Sequence, residues 1–240
     1  MSSPTFSPLY RQIKALLLES LQSGAWRPGE AIPSEMELAG RYKVSQGTVR
    51  KAIDELAAEN LLFRRQGKGT FVATHGERNV RFRFLRLAPD SGEPDSVERE
   101  LLEFRRSRAS ADVARVLELK PGDPMVMIKR LLKFGGDPVV LEEVWLPGNL
   151  FKGLTAAAVS EHRGALYNLF EIQFGTRMVR AEERLKAAAS DVTNAVLLCV
   201  QPGHPLLAVE RVSYTYADKP VEWRRGLYKT DRYFYKSELG

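Results

Sequence analysis

The C-terminal part of the chain contains one pattern twice, and this internal repeat restricts the fold more than any other feature. Residues 114–131, ARVLELKPGDPMVMIKRL, align with residues 195–212, AVLLCVQPGHPLLAVERV, at a constant offset of 81. Each copy predicts a helix, a Pro-Gly turn, a strand, a tight turn and a second strand, ending in GGDPVVLEE or ADKPVEWRR. We therefore expect two equivalent halves of one sheet, with a ligand pocket where they join. A duplicated structural unit without a ligand is the alternative.

Alternating hydrophobicity outlines the other elements of this part. It predicts strands at 125–134, 138–146, 177–187, 206–216 and 220–229. Helical spacing of apolar residues predicts helices near 96–103, 110–118, 164–174 and 190–199. A sheet with separate helices is typical of an α+β fold, here largely antiparallel.

The first 75 residues have a different pattern, in which three helices precede a β-hairpin. The first helix is predicted to begin at Ser7-Pro8, with one buried face formed by Leu9, Ile13, Leu17 and Leu21. Ser34 and Glu37 have the spacing of a capping box at the start of the second helix. The third helix is predicted to start after Ser45, to end near Asn60, and to bury Val49, Ala52, Ile53 and Leu56. LLFRR and TFVA then predict two strands around the turn QGKG.

Gly47 stands two residues after the Ser45 cap, although glycine within a helix costs roughly 0.5–1 kcal/mol relative to alanine. A partner that approaches this helix end closely would explain the glycine. Two helices joined by a tight turn, followed by a basic hairpin, are typical of a winged helix-turn-helix, whose second helix enters the major groove of DNA. Gln46 can bind an adenine edge, Arg50 a guanine edge, and Thr48 a thymine methyl group or a phosphate. An ordinary three-helix bundle is the alternative, and it leaves Gly47 and the basic hairpin unexplained.

Charge and composition limit the remaining possibilities. The formal net charge of +6 permits an anionic partner, and residues 41–68 hold seven basic but three acidic residues. No apolar run reaches the roughly 18–20 residues needed to cross a bilayer, and the N-terminus lacks the layout of a secretory signal. We therefore expect a soluble cytoplasmic protein, in which Cys199, within VLLCVQ, is a buried structural thiol.

The stretch IPSEMELAGRYKVSQGTVRKAIDELAAENLLFRRQGKGTFV resembles the DNA-binding domain of GntR-type bacterial transcription regulators, and SQGTVRKA is similar to their HutC-like branch. Met36 and Gln46 stand where many relatives have arginine, so the operator is expected to differ from the family's usual one. Taken together with the outward face of the third helix, the resemblance implies a set of DNA-binding residues. They are Ser45, Gln46, Gly47, Thr48, Arg50, Lys51, Arg65, Gly67, Lys68 and Gly69.

Residues 83–240 resemble a UTRA domain, the small-molecule sensor of HutC-like regulators, which is similar in fold to chorismate lyase. The resemblance lies in IKRLLKFGGDPVVLEEVWLP and VERVSYTYADKPVEWRRGLYKTDRYFY. It implies effector contacts by Arg130, Glu142, Tyr167, Glu222 and Tyr228, to which Arg225 is added because it shares a strand with Glu222. For any one of these residues, a structural salt bridge or strand pair is the alternative. Sugar-phosphate sensors of this class have Arg-x-Arg and Ser-Leu-Tyr where this chain has Arg130-Leu131-Leu132 and Ala165-Leu166-Tyr167, which favours a smaller or more apolar carboxylate.

These observations predict a winged helix-turn-helix domain at 1–75, a linker at 76–82 and a UTRA-like effector-binding and dimerisation domain at 83–240. The expected function is a repressor that binds a palindromic, double-stranded operator as a homodimer under the control of a small molecule. A DNA-binding protein with a purely structural or dimerising C-terminal domain is the alternative. An enzyme is not expected. The sequence has no nucleophile elbow, and no cluster of His and Cys residues has the spacing of metal ligands. The adjacent Glu142 and Glu143 point to opposite faces of a strand, so they cannot act together as an acid and a base. Neither a cofactor nor a metal is therefore predicted.

Overall fold

A computed structural model of the protein describes residues 7–74, 86–92, 96–162 and 164–237. The chain divides into two compact units, Met1–His75 and Gly76–Gly240. The linker predicted at 76–82 lies outside the described residues. Within the described part of the chain, no helix has the length and apolar character needed to span a bilayer.

The first unit contains the three predicted helices and the predicted hairpin. The elements are α1 (Leu9–Gln22), α2 (Glu35–Tyr42), α3 (Gln46–Ala58), β1 (Leu62–Arg65) and β2 (Gly69–Val72), and the two strands pair antiparallel. The core contains Ile13, Leu17, Leu21, Leu38, Val49, Ala52, Ile53 and Leu56. Leu9 does not belong to it and is 58% exposed, because it begins α1 one turn before Ile13, the first buried position.

Caps fix the short connection between α2 and α3. The Ser34 amide donates to Glu37 Oε2 at 2.8 Å and the Glu37 amide donates to Ser34 Oγ at 3.2 Å, which confirms the capping box. Lys43 ends α2 in the left-handed conformation, with φ 55°, and Ser45 Oγ accepts from the Thr48 amide at 3.2 Å. Asn60 has φ 57°, as predicted for the residue that ends α3. The turn therefore holds the start of α3 in one orientation relative to α2.

The second unit is built on a six-stranded antiparallel sheet. The strands of the whole unit are β3 (Leu87–Pro89), β4 (Val97–Arg108), β5 (Pro124–Phe134), β6 (Asp137–Pro147), β7 (Arg180–Ala189), β8 (Pro205–Tyr214), β9 (Pro220–Tyr228) and β10 (Tyr233–Tyr235). The helices are α4 (Ala111–Val116), α5 (Ala156–Glu161), α6 (Leu166–Phe174) and α7 (Val192–Leu198). The six-stranded sheet has the order β4-β5-β6-β9-β8-β7, while β3 and β10 form a separate pair.

The two halves predicted from the repeat are present in this order. The strands β4, β5 and β6 run inward from one edge, and β7, β8 and β9 run inward from the other. In sequence α4 follows β4 as α7 follows β7, so each half is a strand, a helix and two further strands. The halves meet where β6 pairs with β9, with Glu143 opposite Arg225. The five predicted strands are found within three residues of their expected ends.

The helix predicted near 96–103 is wrong, because this segment begins β4. In VERELLEFRRSR, half-buried and exposed side chains alternate along most of the strand, and the alternation breaks at Leu101 and Leu102, where the register against β5 shifts between Leu101 and Glu103. Because two leucines are adjacent at this irregularity, the apolar residues of the segment also fit helical spacing. Glu, Leu and Arg favour helices as well. Pairing with β5 along the whole strand overrides that local preference.

The two faces of the sheet carry different helices. Val144 and Leu146 pack in the cluster that contains Phe170 of α6. The intervening Trp145 packs against Leu117, which directly follows α4, and against Met125, which lies at the start of β5. Because successive side chains of a strand point to opposite faces, α6 covers one face and the segments around α4 and α7 cover the other.

Cys199 is exposed and is not the buried thiol that the sequence predicted. The buried residues of α7 are Ala195 and Leu198, and Cys199 follows them as the C-cap residue with φ 53°. The left-handed turn at this position carries the chain out of the helix, so the thiol leaves the apolar face.

A row of alternating charges crosses the sheet on the face that carries α4 and α7. Neighbouring residues in the row are paired in register across all six strands: Glu103, Lys129, Glu143, Arg225, Glu210 and Arg184. The Nζ of Lys129 lies 3.4 Å from Oε1 of Glu143. Directly opposed unlike charges stabilise a strand pair by roughly 0.2–1 kcal/mol, and like charges destabilise it. The row therefore favours the observed register.

We expect Arg225→Glu to lower the free energy of unfolding of the full-length protein by about 1–2 kcal/mol, because it places three carboxylates side by side in this row. Urea denaturation followed by circular dichroism measures the change. Lys186→Glu is the control, since Lys186 pairs with Ala208 and has no charged residue opposite it on β8. An equal loss in both variants would contradict a role for the row.

Candidate nucleic-acid interface and ligand site

The ten predicted DNA-binding residues lie at the start of α3 and around the hairpin turn. Thr48 is half-buried, and the other nine are exposed. The side chains of Arg50 on α3 and Arg64 on β1 both contact Glu35, so the helix and the hairpin are adjacent. The helix end, the turn and their basic residues thus form one surface.

Two basic residues of this surface rest on aromatic rings. The Nζ of Lys51 lies 4.1 Å from the centre of the Tyr10 ring. The guanidinium carbon of Arg65 lies 5.1 Å from the Phe63 ring centre and 5.0 Å from that of Phe71. In the free protein, these cation–π contacts favour one position for each of the two long cationic side chains.

The fold itself does not require a glycine at position 47. A Cβ added to Gly47 would have Ser45 Oγ, 3.9 Å away, as its nearest neighbour, and the backbone is helical rather than left-handed. The glycine leaves the first turn of α3 open to solvent, where the amide groups of a helix N-terminus can donate hydrogen bonds to an anion. This is the geometry expected for close approach of a phosphate.

The sequence did not single out Glu35, although it contacts three side chains of this surface. Its Oε2 accepts from Gln46 Nε2 at 3.2 Å and from Arg50 Nε at 2.9 Å. Its Oε1 accepts from Arg64 Nη2 at 3.0 Å. Nothing in the sequence indicated these contacts, because an acidic residue in the first turn of a helix is already explained by its interaction with the helix dipole.

A buried network of charges occupies the sheet face beneath α6. It contains Arg130, Arg211 and Arg224 with Glu142, Glu183 and Glu222, and each side chain is at most 11% exposed. Such groups are tolerated in a protein interior only when they are paired and hydrogen-bonded. The surrounding core is apolar, with Val144, Phe151 and Phe170 among its fully buried residues.

Arg224 connects the two halves of the sheet within this network. Its Nη1 donates to Glu142 Oε2 on β6 at 2.9 Å, and its Nη2 donates to Glu222 Oε2 on β9 at 2.9 Å. Arg130 Nε donates to the other oxygen of Glu142 at 2.9 Å. Glu142 thus accepts from an arginine of each half.

Tyr167 of α6 is hydrogen-bonded to the network from the helix that covers this face of the sheet. Its hydroxyl donates to Glu222 Oε1 at 2.7 Å and lies 3.0 Å from Ser213 Oγ. Arg211 Nη1 donates to the same hydroxyl at 3.4 Å, while its Nε donates to Glu183 at 2.5 Å. A side chain of the covering helix is therefore hydrogen-bonded to groups on the sheet.

Charge and burial set the protonation of this network. Burial alone would raise the pKa of Glu142, but the positive charges of Arg130 and Arg224 outweigh it and lower the pKa to about 2. Burial raises the pKa of Tyr228 to about 12. Burial, followed by the negative charge of Glu222, also raises the pKa of Tyr167. At neutral pH the site therefore holds an ionised carboxylate beside neutral phenols.

Tyr228 lies across Gly226 on the same sheet face. A Cβ at position 226 would stand 2.5 Å from the Tyr228 ring, so only glycine leaves room for the aromatic side chain. Gly226 is opposite Glu142 in the register of β6 and β9. The glycine therefore lets Tyr228 lie close to the charged network.

The structure brings together five of the six predicted effector residues. Arg130, Glu142, Tyr167 and Glu222 are joined by these hydrogen bonds, either directly or through Arg224, and Tyr228 lies beside them. Arg225 lies on the opposite face, in the row of alternating charges. The prediction placed Arg225 with Glu222 because they share a strand, but residues three apart on a strand point to opposite faces.

Two arginines of the network were missed by the sequence prediction, and both had a signal. Arg224 has the same parity as Glu222, so strand alternation places it on the correct face. Arg211 is the repeat equivalent of Arg130 and pairs with Glu183 across β7 and β8. Applying the repeat to side chains as well as to strands would have found it.

The first unit is a winged helix-turn-helix and the second a sheet with a buried polar site, an arrangement that defines a DNA-binding transcription regulator with a separate second domain. The family described as bacterial regulatory proteins, gntR family, matches residues 9–72, and the UTRA domain family matches residues 93–233. The chain belongs to the GntR family of bacterial transcription regulators and carries a UTRA domain. Members of this family are regulators and not enzymes.

Relatives and solved structures agree with this assignment. The repressor PhnF of Mycolicibacterium smegmatis is 30% identical over 224 residues, covering 93% of this chain and 90% of that protein. The repressor NagR of Bacillus subtilis is 26% identical over 94% of this chain and 92% of its own length. The ligand-binding domain of a Bordetella bronchiseptica protein assigned to the GntR family is 51% identical, with a TM-score of 0.65 over 67% of this chain and 100% of that domain. The crystal structure of PhnF from Mycobacterium smegmatis has a TM-score of 0.56 and covers 95% of this chain and 99% of its own.

Arg50→Ala should cost specific DNA binding roughly 1–3 kcal/mol at one operator base pair, because it removes the side chain that the sequence predicts to bind a guanine edge. Selection of binding sites from random duplexes, performed with both proteins, measures the base preference at each position. An unchanged preference in the variant would refute the assignment of Arg50 as a base reader.

The stability of the second unit should fall as the pH drops from about 4.5 to about 2, because Glu142 resists protonation in the folded state and not in the unfolded one. Glu142→Gln should lose this contribution and should be about 3–5 kcal/mol less stable at neutral pH, where Arg130 is left without its charged partner. Chemical denaturation of the full chain across this pH range gives both quantities. Glu143→Gln, the neighbouring change on the opposite face, should keep the acid dependence, and its loss there would contradict the role given to Glu142.

Proposed function

We propose that the protein is a transcriptional repressor that binds a palindromic operator as a homodimer and releases it when a small molecule binds the UTRA domain. PhnF and NagR, which align with nearly the whole chain, are both named repressors. A two-fold dimer matches a palindromic operator because each recognition helix reads one half-site. Operator DNA lies in the bacterial cytoplasm, where such a repressor acts.

DNA recognition is assigned to the start of α3 and to the hairpin. Gln46, Thr48 and Arg50 are the base readers, and Ser45, Gly47 and Lys51 face the sugar-phosphate backbone. Arg65, Gly67, Lys68 and Gly69 of the hairpin are the second contact. The open first turn at Gly47 supports this arrangement, since no contact among the described residues requires a glycine there.

The effector site is assigned to the charged network beneath α6, and its burial is the observation that carries the proposal. A network of this size in an apolar core is costly to maintain for stability alone, because hydrophobic residues of similar volume often do as well. Arg130, Arg224, Glu142 and Glu222 can exchange their mutual hydrogen bonds for bonds to a ligand, and Tyr167 and Tyr228 add hydroxyl groups. The likeness to a domain described as ligand-binding supports a ligand-binding role for this domain.

A small carboxylate is the ligand class we favour. An arginine binds a carboxylate in bidentate fashion, and the glutamates and tyrosines can read hydroxyl or amino groups on the same molecule. The chain has Leu132 and Ala165 where sugar-phosphate sensors of this class have arginine and serine, so it offers fewer groups to a phosphate.

Control of DNA binding follows from a difference in affinity. If the effector binds more tightly to a dimer arrangement whose recognition helices do not match the operator, it lowers operator affinity by that difference. The effector need not contact DNA. A UTRA domain that only dimerises is the second candidate, and it predicts no ligand response.

The test is thermal unfolding of the full-length protein with a panel of carboxylates, aromatic acids, amino-acid breakdown products and sugar phosphates. A ligand present at about 100 times its dissociation constant should add ~2.7 kcal/mol of stability and raise the unfolding temperature. Arg224→Ala and Tyr167→Phe should reduce this response, and Arg130→Ala should abolish it while leaving operator binding intact.

Arg225→Ala is the matched control, because it removes the same side chain from the next residue on the opposite face. It should respond to ligand as the original protein does. A response lost in Arg225→Ala and kept in Arg224→Ala would move the site to the other face. No stabilisation by any compound of the panel would favour the dimerising role.

A further inference from the structure

Glu35 binds the side chains that the proposed function assigns to reading DNA. Both Nε and Nη2 of Arg50 lie 2.9 Å from its Oε2, which also accepts from Gln46. Its Oε1 accepts from Arg64 of the hairpin. The Glu35 side chain is 18% exposed, whereas that of Arg50 is 56% exposed. One half-buried carboxylate therefore contacts three exposed side chains, of which Arg64 is also paired with Asp54.

The geometry of the pair leaves the guanine-binding side of Arg50 available. A guanidinium has five N–H donors, and a side-on contact uses Nε and one hydrogen of Nη2. The remaining donors, on Nη1 and on the far side of Nη2, form the fork that binds O6 and N7 of guanine. Glu35 and a guanine can therefore bind the same guanidinium together, and neither has to displace the other.

We propose that Glu35 is a positioning residue that sets the sequence specificity of DNA binding by holding Arg50 in the orientation that reads guanine. This inference rests on the proposed role of Arg50 as a base reader. A long side chain that is already ordered loses less freedom when it binds, which saves roughly 0.5–1.5 kcal/mol, or about 2- to 10-fold in affinity. The gain applies only where the correct base is present.

The negative charge of Glu35 should also act against the wrong DNA. Binding to random sequence depends on attraction between basic residues and phosphates. Glu35 repels phosphates and occupies Arg50 and Arg64, so it weakens that attraction for every sequence. Specificity is a ratio of affinities, so this repulsion lowers affinity for operator and random DNA alike, and the ratio itself rises through the ordering of Arg50.

Asp54 provides a matched control for this proposal. Its Oδ1 lies 2.7 Å from Nη1 of Arg64, and its side chain is 51% exposed. Asp54→Asn and Glu35→Gln each remove one negative charge from the same surface, and each leaves Arg64 with one fewer charged partner. Of the two carboxylates, Glu35 is the one bonded to Arg50 and Gln46.

The experiment uses the full-length protein and an operator selected from a random duplex library. Arg50→Ala first identifies the base pair that Arg50 reads. Affinities for the operator, for the operator with that pair replaced and for random DNA are then measured for the original protein, Glu35→Gln and Asp54→Asn, with circular dichroism to verify folding. We expect Glu35→Gln to lower discrimination at that pair by about 2- to 10-fold and to raise affinity for random DNA, while Asp54→Asn leaves discrimination unchanged.

Three results would overturn the proposal. Equal effects of Glu35→Gln and Asp54→Asn, with discrimination intact, would reduce Glu35 to one surface charge. If Glu35→Gln binds all three DNAs more tightly by the same factor, then Glu35 lowers DNA affinity in general and does not affect specificity. If Arg50→Ala leaves every base preference unchanged, the base-reading role of Arg50 fails, and this outcome is visible before Glu35 is tested.

Discussion

Pairing of buried charges at the junction of the two halves is the constraint on which the second unit depends. Glu142 belongs to β6, while Arg224 and Glu222 belong to β9, so their hydrogen bonds cross the strand pair that joins the repeats. A buried ion that loses its partner is strongly destabilising. The network is therefore complete only when both halves are in register, and the same requirement gathers beneath α6 the groups to which ligand binding is assigned.

Both units use carboxylates to hold arginines at their candidate sites. In the second unit, Glu142 and Glu222 hold Arg224 within an apolar core. In the first unit, Glu35 holds Arg50 and Arg64 at the surface. The difference lies in the solvent: the buried pairs are strongly coupled and difficult to break, whereas the exposed pairs contribute little stability and can act mainly on orientation.

Much of the fold could be predicted because its local signals agree with its tertiary structure. The Ser34 and Glu37 capping box, the Ser45 cap and the left-handed Asn60 all occur where the sequence placed them. The errors arose where two local patterns fit equally well. The segment containing Leu101 and Leu102 fits both a helix and a bulged strand, and pairing with β5 decides between them. Cys199 looked buried because its neighbours are apolar, but the end of α7 turns it outward.

The sequence by itself determined the family, the two types of domain, the repeat, three residues of the charged network and the two tyrosines beside it, because caps, periodicity and motifs are local properties of the chain. The tertiary structure decided which side chains meet. It paired Arg224 of β9 with Glu142 of β6, brought Arg211 to Tyr167 of α6, and placed Glu35 against Arg50. Such contacts depend on strand register and helix packing over long sequence separations, and no local pattern contains that information.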